Sequence, residues 1–171
     1  MIEKCKYLRY LILDVDGTLT DGGIYYDNSG NELKKFCVSD AAGIFAIQRM
    51  KIKVIVITGR ESSIVLRRLS DLKIKEVYQN IKNKKKFLKQ YMNKNEILRS
   101  ELAYIGDDVN DLFAMELAGF VACPNNACDE VKDISDYVSK HDGGKGAVRN
   151  IAEYMLGSKE EWFEAIKIIY Q

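Results

Sequence analysis

The feature that most constrains this chain is a pair of aspartates at the end of a hydrophobic run, since residues 11–21 read LILDVDGTLTD. The apolar residues before Asp14 predict a buried strand. Asp14 and Asp16 then stand together just after it, and Asp21 follows as a support for the next turn. Carboxylates are costly to bury unless a cation or hydrogen-bond donors compensate them. We therefore expect this strand to end at a binding site.

Short apolar runs alternate with segments of helical spacing along most of the chain. The runs are YLRYLILD, KVIVIT, EVYQ, LAYIGD and FVAC, and helices are expected near residues 42–50, 62–72, 85–92 and 111–118. This alternation is typical of α/β folds in which helices cover both faces of a mostly parallel sheet. We expect one three-layer, Rossmann-like α/β domain over residues 1–171, because no linker or repeat marks a second domain.

The segment GGIYYDNSGNELKKF interrupts the alternation, and its turn-rich centre predicts a β-hairpin over residues 23–36. An isolated hairpin is marginal in water, so its apolar side chains are expected to pack on something. A second subunit and the hairpin's own domain both remain open as that partner. The apolar side chains are Ile24, Tyr25, Tyr26, Leu33 and Phe36.

The composition excludes several classes of partner. The 26 basic residues almost balance the 25 acidic ones, so no overall field attracts nucleic acid or an anionic membrane. No apolar run approaches the roughly 20 residues that a membrane helix needs, and no signal peptide is evident, so we expect a cytoplasmic protein. A single histidine, His141, makes a multi-histidine metal site or a Ser-His-Asp hydrolase a poor fit. The four cysteines are expected to remain thiols.

Polar residues follow three of the predicted strands directly. In open parallel sheets the ligand binds outside the carboxyl ends of the strands, so these side chains should converge. They are Asp14 and Asp16 after the first run, Thr58, Gly59 and Arg60 after the second, and Asp107 and Asp108 after the fourth.

Converging carboxylates indicate a magnesium ion and phosphoryl chemistry. Hard oxygen ligands without thiolate or imidazole favour Mg²⁺, which also binds substrate phosphate. Thr58 adds a hydroxyl, Gly59 a backbone N–H, and a downstream lysine a positive charge. Phosphate monoesters hydrolyse so slowly that acceleration of up to about 10²¹-fold is needed, and several effects must combine. A carboxylate nucleophile and a neighbouring acid are two of them.

The motifs DVDGT, VITGR and GDDVND resemble those of the haloacid dehalogenase superfamily. The resemblance implies that Asp14 is the nucleophile and that Asp16 is the general acid/base. It also implies that Mg²⁺ is held by the side chains of Asp14 and Asp107 and by the Asp16 carbonyl. Asp108 and Asp111 are implied as supporting residues behind these ligands.

The resemblance extends to the cap-less branch that contains the 3-deoxy-D-manno-octulosonate 8-phosphate (KDO 8-phosphate) phosphatases. It covers almost the whole chain, through DVDGTLTDGGIYY, VSDAAGI, ITGRESSIVLRR, YIGDDVNDL and GGKGAVR. In that branch the motif lysine follows QGxxxK; here QNIKNK indicates Lys84, with Asn80 in place of the glycine, and the neighbouring lysines 82, 85 and 86 stay open. The gap between Asp21 and Thr58 is too short for a cap domain beside the hairpin.

The branch also implies a quaternary arrangement and a substrate class. It implies a homotetramer in which the hairpins pack between subunits and a neighbour's C-terminal segment, about residues 141–171, covers the active site. The implied substrate is a phosphorylated sugar acid of lipopolysaccharide synthesis. The implied catalytic residues are Asp14, Asp16, Thr58 and Lys84. The implied substrate-binding residues are Asp16, Asp40, Thr58, Gly59, Arg60, Arg68 and Lys84.

Two departures bear on the choice of sugar. Where the branch reads close to VRDGYGI this chain reads VSDAAGI, so Ser39, Ala41 and Ala42 remove possible contacts. Arg60 resembles the KDO 8-phosphate enzymes, whereas relatives acting on nine-carbon sialic-type 9-phosphates tend to have an acidic residue there. Arg68 is either a carboxylate or phosphate ligand, to which a guanidinium is suited, or a helix-surface residue.

Three other functions are open. The first is a phosphatase for a nine-carbon sialic-type sugar-acid 9-phosphate. The second is a non-catalytic oligomerisation module such as the one fused to some sialate cytidylyltransferases, although a scaffold has no need of a costly carboxylate cluster. The third is a receiver domain, which does not require Asp16 as an acid/base.

Overall fold

Strand β1 (Tyr10–Leu13) lies inside a six-stranded parallel sheet in the computed structural model, which describes residues 2–157 and 159–170. It pairs on both sides, and Ile12 lies opposite Ile55 and Tyr104. Every run that the sequence indicated as a strand is in this sheet. The spatial order is β5 (Glu76–Tyr78), β4 (Lys53–Ile57), β1, β6 (Leu102–Ile105), β7 (Phe120–Cys123) and β8 (Tyr137–Val138).

Helices cover both faces of the sheet, which confirms the predicted three-layer architecture. The first layer contains α2 (Asp40–Arg49), α3 (Ser63–Asp71) and α7 (Ala147–Leu156). The second layer contains α4 (Lys84–Lys94), α5 (Val109–Met115) and α6 (Asp129–Ile134). The chain also forms α1 (Ile2–Cys5), a 3₁₀ turn at Arg99–Glu101, and α8 (Lys159–Tyr170).

The alternation of side chains along β1 explains why its sequence is apolar throughout. Leu11 and Leu13 pack into the core of the first helix layer, and Ile12 packs into the core of the second. A central parallel strand is covered on both faces, so it needs a continuous apolar run. The first polar side chain, Asp14, therefore comes where the strand leaves the sheet.

The hairpin consists of β2 (Tyr25–Tyr26) and β3 (Glu32–Leu33), which pair antiparallel apart from the main sheet. The Asp27 carboxylate closes its turn by accepting hydrogen bonds from the backbone N–H groups of Ser29 and Asn31. Tyr25 and Leu33, which lie opposite each other in the register, are exposed on one side. On the other side Glu32 contacts its own domain, so the hairpin both folds back on its domain and presents apolar side chains outward.

The C-terminal helix α8 packs on α2 of the same chain. Ala46, Leu156 and Ala165 form a small buried cluster that anchors it. The Arg149 guanidinium also stacks 4.4 Å from the centre of the Trp162 ring.

Three elements that the sequence did not indicate are short. Helices α1 and α6 and strand β8 span 4, 6 and 2 residues, too few to show a clear periodicity. All four cysteines are thiols, as expected. Within residues 2–157 and 159–170, no helix has the length and apolar character required to cross a membrane.

Asp40, predicted as a substrate-binding residue, joins two helices. It is 1 % exposed, and its Oδ1 accepts a hydrogen bond of 2.9 Å from the backbone N–H of Arg149 in α7. Its Oδ2 is buried without a hydrogen-bond partner among the residues that the structure describes. The carboxyl is therefore enclosed between α2 and α7. Burial raises the pKa of Asp40 to about 6.

We predict that Asp40→Asn changes the pH dependence of stability. The folded pKa lies above the ordinary value of 3.8, so the wild type loses stability from this group as pH rises from about 4 past 6. Asparagine has no such titration. The free energy of unfolding of Asp40→Asn relative to wild type should therefore rise by up to ~3 kcal/mol between pH 4 and 7.

Urea unfolding across that pH range measures this difference, with the exposed Asp133→Asn in α6 as the matched control. A difference between Asp40→Asn and wild type that stays constant from pH 4 to 7 would contradict the assignment.

Candidate active site

The loop after β1 is a tight turn that carries Asp14 and Asp16. Val15 O accepts the backbone N–H groups of Leu19 and Thr20 at 2.9 and 3.0 Å, which folds the loop back on itself. Asp14 is buried at the start of the loop. Gly17 has φ +89°, and a Cβ there would lie 1.9 Å from Asp107 Oδ2. Glycine is therefore required for Asp107 to approach the loop.

A second glycine-rich loop, which contains Gly143, packs against the loop after β1. A Cβ on Gly143 would lie 1.7 Å from Gly17 O, so the two backbones are in direct contact. Sequence analysis used GGKGAVR only as part of the family resemblance and missed this support. The signal available was the pair of adjacent glycines, which marks a close approach of backbones but does not name the partner.

Lys84 is the lysine that contacts Asp14. It lies at the start of α4, where the Asn83 side chain caps the helix. Its Nζ lies 2.8 Å from Asp14 Oδ1 and 2.7 Å from Asp111 Oδ1, and its side chain is 2 % exposed. Of its neighbours, Lys82 and Lys85 are exposed and bind elsewhere. Lys86 is also exposed.

Asn80 shows why this chain departs from the QGxxxK pattern without losing the turn. Its φ is +57°, in the left-handed region that glycine adopts freely. Asparagine is among the non-glycine residues that tolerate this region best. The preceding Gln79 accepts the backbone N–H of Ser62 and donates to the Ser62 carbonyl, which joins this turn to α3.

Two hydroxyls that the sequence analysis did not assign fix the carboxylates after β6. Thr18 donates a hydrogen bond of 2.9 Å to Asp107 Oδ1. Tyr104, fully buried in β6, donates one of 2.6 Å to Asp111 Oδ1. The signal for Tyr104 was a polar tip within an apolar run, since a buried tyrosine hydroxyl needs a partner.

Asp14, Asp107 and Asp111 form a cluster suited to a cation. One carboxylate oxygen of each lies within 4.8 Å of the others, and Asp111 Oδ2 is buried without a hydrogen-bond partner in the described part of the chain. An all-oxygen set of this kind fits Mg²⁺. Asp111 is thus as well placed to bind a cation as Asp14 and Asp107, the two predicted side-chain ligands. Asp108 instead caps α5, accepting the N–H of Val109 at 2.8 Å.

The electrostatics of the cluster show a shortage of positive charge. Burial, with the nearby Asp111 carboxylate, raises the pKa of Asp14 well above its ordinary value, although Lys84 opposes the shift. Burial raises the pKa of Asp107 to about 7. Burial lowers the pKa of Lys84, but the two carboxylates outweigh it and the net shift is upward. A divalent cation would compensate the remaining negative charge.

Asp16 lies outside this cluster and contacts the hairpin. Its Oδ1 accepts the ammonium of Lys34, whose side chain is fully buried. Lys34 Nζ also lies 3.4 Å from Glu32, and Glu32 in turn pairs with Arg60 at 2.8 Å. Arg60 is therefore near the site, as predicted, but the hairpin already holds its guanidinium.

Thr58 and Gly59 lie at the end of β4, beside the β1 loop. Because Leu13 pairs with Val56, Thr58 leaves the sheet at the same edge as Asp14. Thr58 is buried, and the Gly59 carbonyl accepts the Lys82 ammonium at 2.8 Å.

Arg68 does not join these residues through a hydrogen bond. Its Nη2 donates to the Cys37 carbonyl at 3.1 Å, and its guanidinium lies 6.0 Å from the Phe36 ring centre. Arg68 thus holds the segment that follows the hairpin.

Comparison with known proteins agrees with this geometry. Residues 70–151 match the model of a haloacid dehalogenase-like hydrolase family. The chain is 38 % identical to the 3-deoxy-D-manno-octulosonate 8-phosphate phosphatase KdsC of Escherichia coli K12, an alignment covering 96 % of this chain and 88 % of the relative.

Solved structures resemble the fold over nearly its full length. The phosphatase of the same name from Moraxella catarrhalis, in complex with magnesium ion, phosphate ion and KDO, has a TM-score of 0.91 at 38 % identity, covering 99 % of this chain and 97 % of that one. A cobalt-bound Haemophilus influenzae phosphatase has a TM-score of 0.85 at 34 % identity, covering 95 % and 93 %. The chain belongs to the haloacid dehalogenase-like hydrolases, within the family of the 3-deoxy-D-manno-octulosonate 8-phosphate phosphatases.

Proposed function

We propose that this protein is a magnesium-dependent phosphatase that hydrolyses KDO 8-phosphate to KDO and phosphate. The observation that carries the proposal is the buried Asp14 carboxylate, paired with Lys84 beside a carboxylate cluster suited to a cation. Family membership supports the substrate, because relatives covering nearly the whole chain carry that name. We take residues 1–171 as one phosphatase domain, with the hairpin in place of a cap.

The proposed metal site uses the side chains of Asp14 and Asp107 together with the Asp16 carbonyl. The Asp111 carboxylate supports it, and one of its oxygens is close enough to serve as a further ligand. When bound, Mg²⁺ supplies positive charge that offsets the phosphate and the carboxylates. Thr18 fixes Asp107 for this purpose through its hydroxyl.

In the proposed reaction Asp14 attacks phosphorus and forms an aspartyl-phosphate while the bond to the sugar oxygen breaks. Asp16 donates a proton to the departing alkoxide. Asp16 then accepts a proton from the water that attacks phosphorus, which releases phosphate and restores Asp14. Lys84 favours the ionised form of Asp14 and neutralises charge on the transferring group. The Thr58 hydroxyl and the Gly59 N–H are the proposed donors to the phosphoryl oxygens.

The sugar end of the substrate is assigned to the outer part of the site. Arg60 is the proposed partner of the sugar carboxylate, since part of its side chain is exposed. Ser39, Ala41 and Ala42 supply no charge to this region. The intact cluster and the family of the relatives favour this reaction over the sialic-type 9-phosphate and the non-catalytic module.

We also propose a cytoplasmic homotetramer assembled through the hairpins. The support is the outward apolar face of the hairpin, including Tyr25 at 47 % and Leu33 at 55 % exposed. Such a surface is typical of a protein interface. Sedimentation equilibrium should give four chains per particle, and a monomer would contradict the assembly. Fractionation of cells should recover the protein with the cytoplasm and not with membranes.

Substitution of the two loop aspartates tests the chemistry. Asp14→Asn should abolish turnover because it removes the nucleophile, and Asp16→Asn should lower kcat by roughly 10²- to 10⁴-fold because it removes the acid/base. Phosphate release in Mg²⁺ measures both. Asp21→Asn is the matched control, since Asp21 binds the Tyr25 hydroxyl and lies outside the cluster. Substantial activity in Asp14→Asn would refute the aspartyl-phosphate.

The choice of sugar has its own test. With Mg²⁺ present, the purified protein should have a far higher kcat/KM for KDO 8-phosphate than for nine-carbon sialic-type 9-phosphates. The reason is that Arg60 stands where relatives acting on the 9-phosphates tend to have an acidic residue. The opposite preference would leave the proposed chemistry intact and overturn the proposed identity of the substrate.

A further inference from the structure

The hairpin carries one lysine side chain into the active site. Lys34 is fully buried at its side chain and its ammonium contacts Asp16 Oδ1. Its neighbour Lys35 is exposed, because successive side chains of an extended segment point to opposite sides. Glu32 and Lys34 therefore share the inner side of the hairpin.

Charges alternate from Asp16 to the surface. Lys34 Nζ binds Asp16 and lies 3.4 Å from Glu32 Oε1, while Glu32 Oε2 lies 2.8 Å from the Arg60 guanidinium. A buried ammonium is costly unless it is paired, and here two carboxylates pair it. The hairpin itself has only two residues in each strand, too few to hold a position alone. These ion pairs fix where the hairpin sits over the site.

We propose that Lys34 is a positioning residue for Asp16, and that the hairpin orients the acid/base carboxylate through it. The proposal rests on the function proposed above. Asp16 is absent from the cluster formed by Asp14, Asp107 and Asp111, so nothing in that cluster orients its side chain. With Oδ1 held by Lys34, the carboxylate has its second oxygen left for the leaving group.

Lys34 is suited to hold Asp16 and not to replace it. An ammonium has three donors and no acceptor, so it can orient a carboxylate while leaving the proton transfer to that carboxylate. A general acid works only within hydrogen-bond reach of the atom that it protonates. Loss of Lys34 should therefore reduce the step that needs the acid and spare a reaction that does not.

The test compares two leaving groups. The sugar of KDO 8-phosphate leaves as an alkoxide that needs a proton. The aryl group of p-nitrophenyl phosphate leaves as a stabilised phenolate that needs little help. Lys34→Met should lower kcat for the sugar phosphate about 10- to 100-fold, part of the typical 10²- to 10⁴-fold worth of a general acid. It should lower kcat for the aryl phosphate less than about threefold. Lys34→Arg should recover most of the loss, because it keeps the charge.

Lys35→Met is the matched control, since it removes a neighbouring charge from the exposed side of the same segment. It should leave both rates unchanged. Circular dichroism and the melting temperature establish that each variant is folded, and Lys34→Arg keeps the test open if Lys34→Met does not fold.

Three outcomes would overturn the proposal. Equal losses on both substrates would make Lys34 a structural anchor of the hairpin. A raised KM with unchanged kcat would make it a substrate contact. An unchanged kcat and KM would give it no part in the reaction. If the wild type hydrolyses neither phosphate, the proposed function is refuted instead. If the wild type is active and Lys34→Met keeps the wild-type ratio of kcat values for the two phosphates, this proposal alone is refuted.

Discussion

A buried lysine between two buried carboxylates is the interaction on which the rest of the site depends. Lys84 joins Asp14 from the first strand loop to Asp111 from α5, and Tyr104 holds Asp111 from within the sheet. Removing one partner of such a group leaves an uncompensated buried charge, which is typically costly by about 3 to 5 kcal/mol. The lysine is one charge against three carboxylates, so the cluster is completed only when a cation binds.

Much of this arrangement could be predicted because parallel strands end at one edge of the sheet. Leu13 lies level with Val56 and Ile105, so the residues that follow all three strands must meet. The residue types after these strands then indicated the chemistry. The motif spacing indicated Lys84. The backbone conformation at Asn80 explains the departure from the motif, since a left-handed residue is needed there. The short elements were missed because two to six residues carry too little pattern.

Other contacts could not be predicted, because they join polar side chains to partners that lie far along the chain. Asp40 binds a backbone N–H 109 residues away, and Arg68 binds a carbonyl 31 residues away. Neither contact is indicated by a pattern in the sequence, because long-range partners are set by how helices pack. Gly143 is similar, since its contact is the backbone of a loop more than a hundred residues earlier. Lys34 was unassigned because the hairpin's placement is itself a tertiary feature.

The central claim is that the carboxylate cluster is a magnesium site, and calorimetric titration of Mg²⁺ tests it most directly. Wild type should bind one ion per chain, and Asp107→Asn should lose at least about tenfold in affinity because a ligand charge is gone. The exposed Asp129→Asn in α6 is the control and should bind as wild type does. Without Mg²⁺, Asp107→Asn should be at least as stable as wild type, because burial raises the Asp107 pKa to about 7. Wild-type affinity in Asp107→Asn would contradict the account.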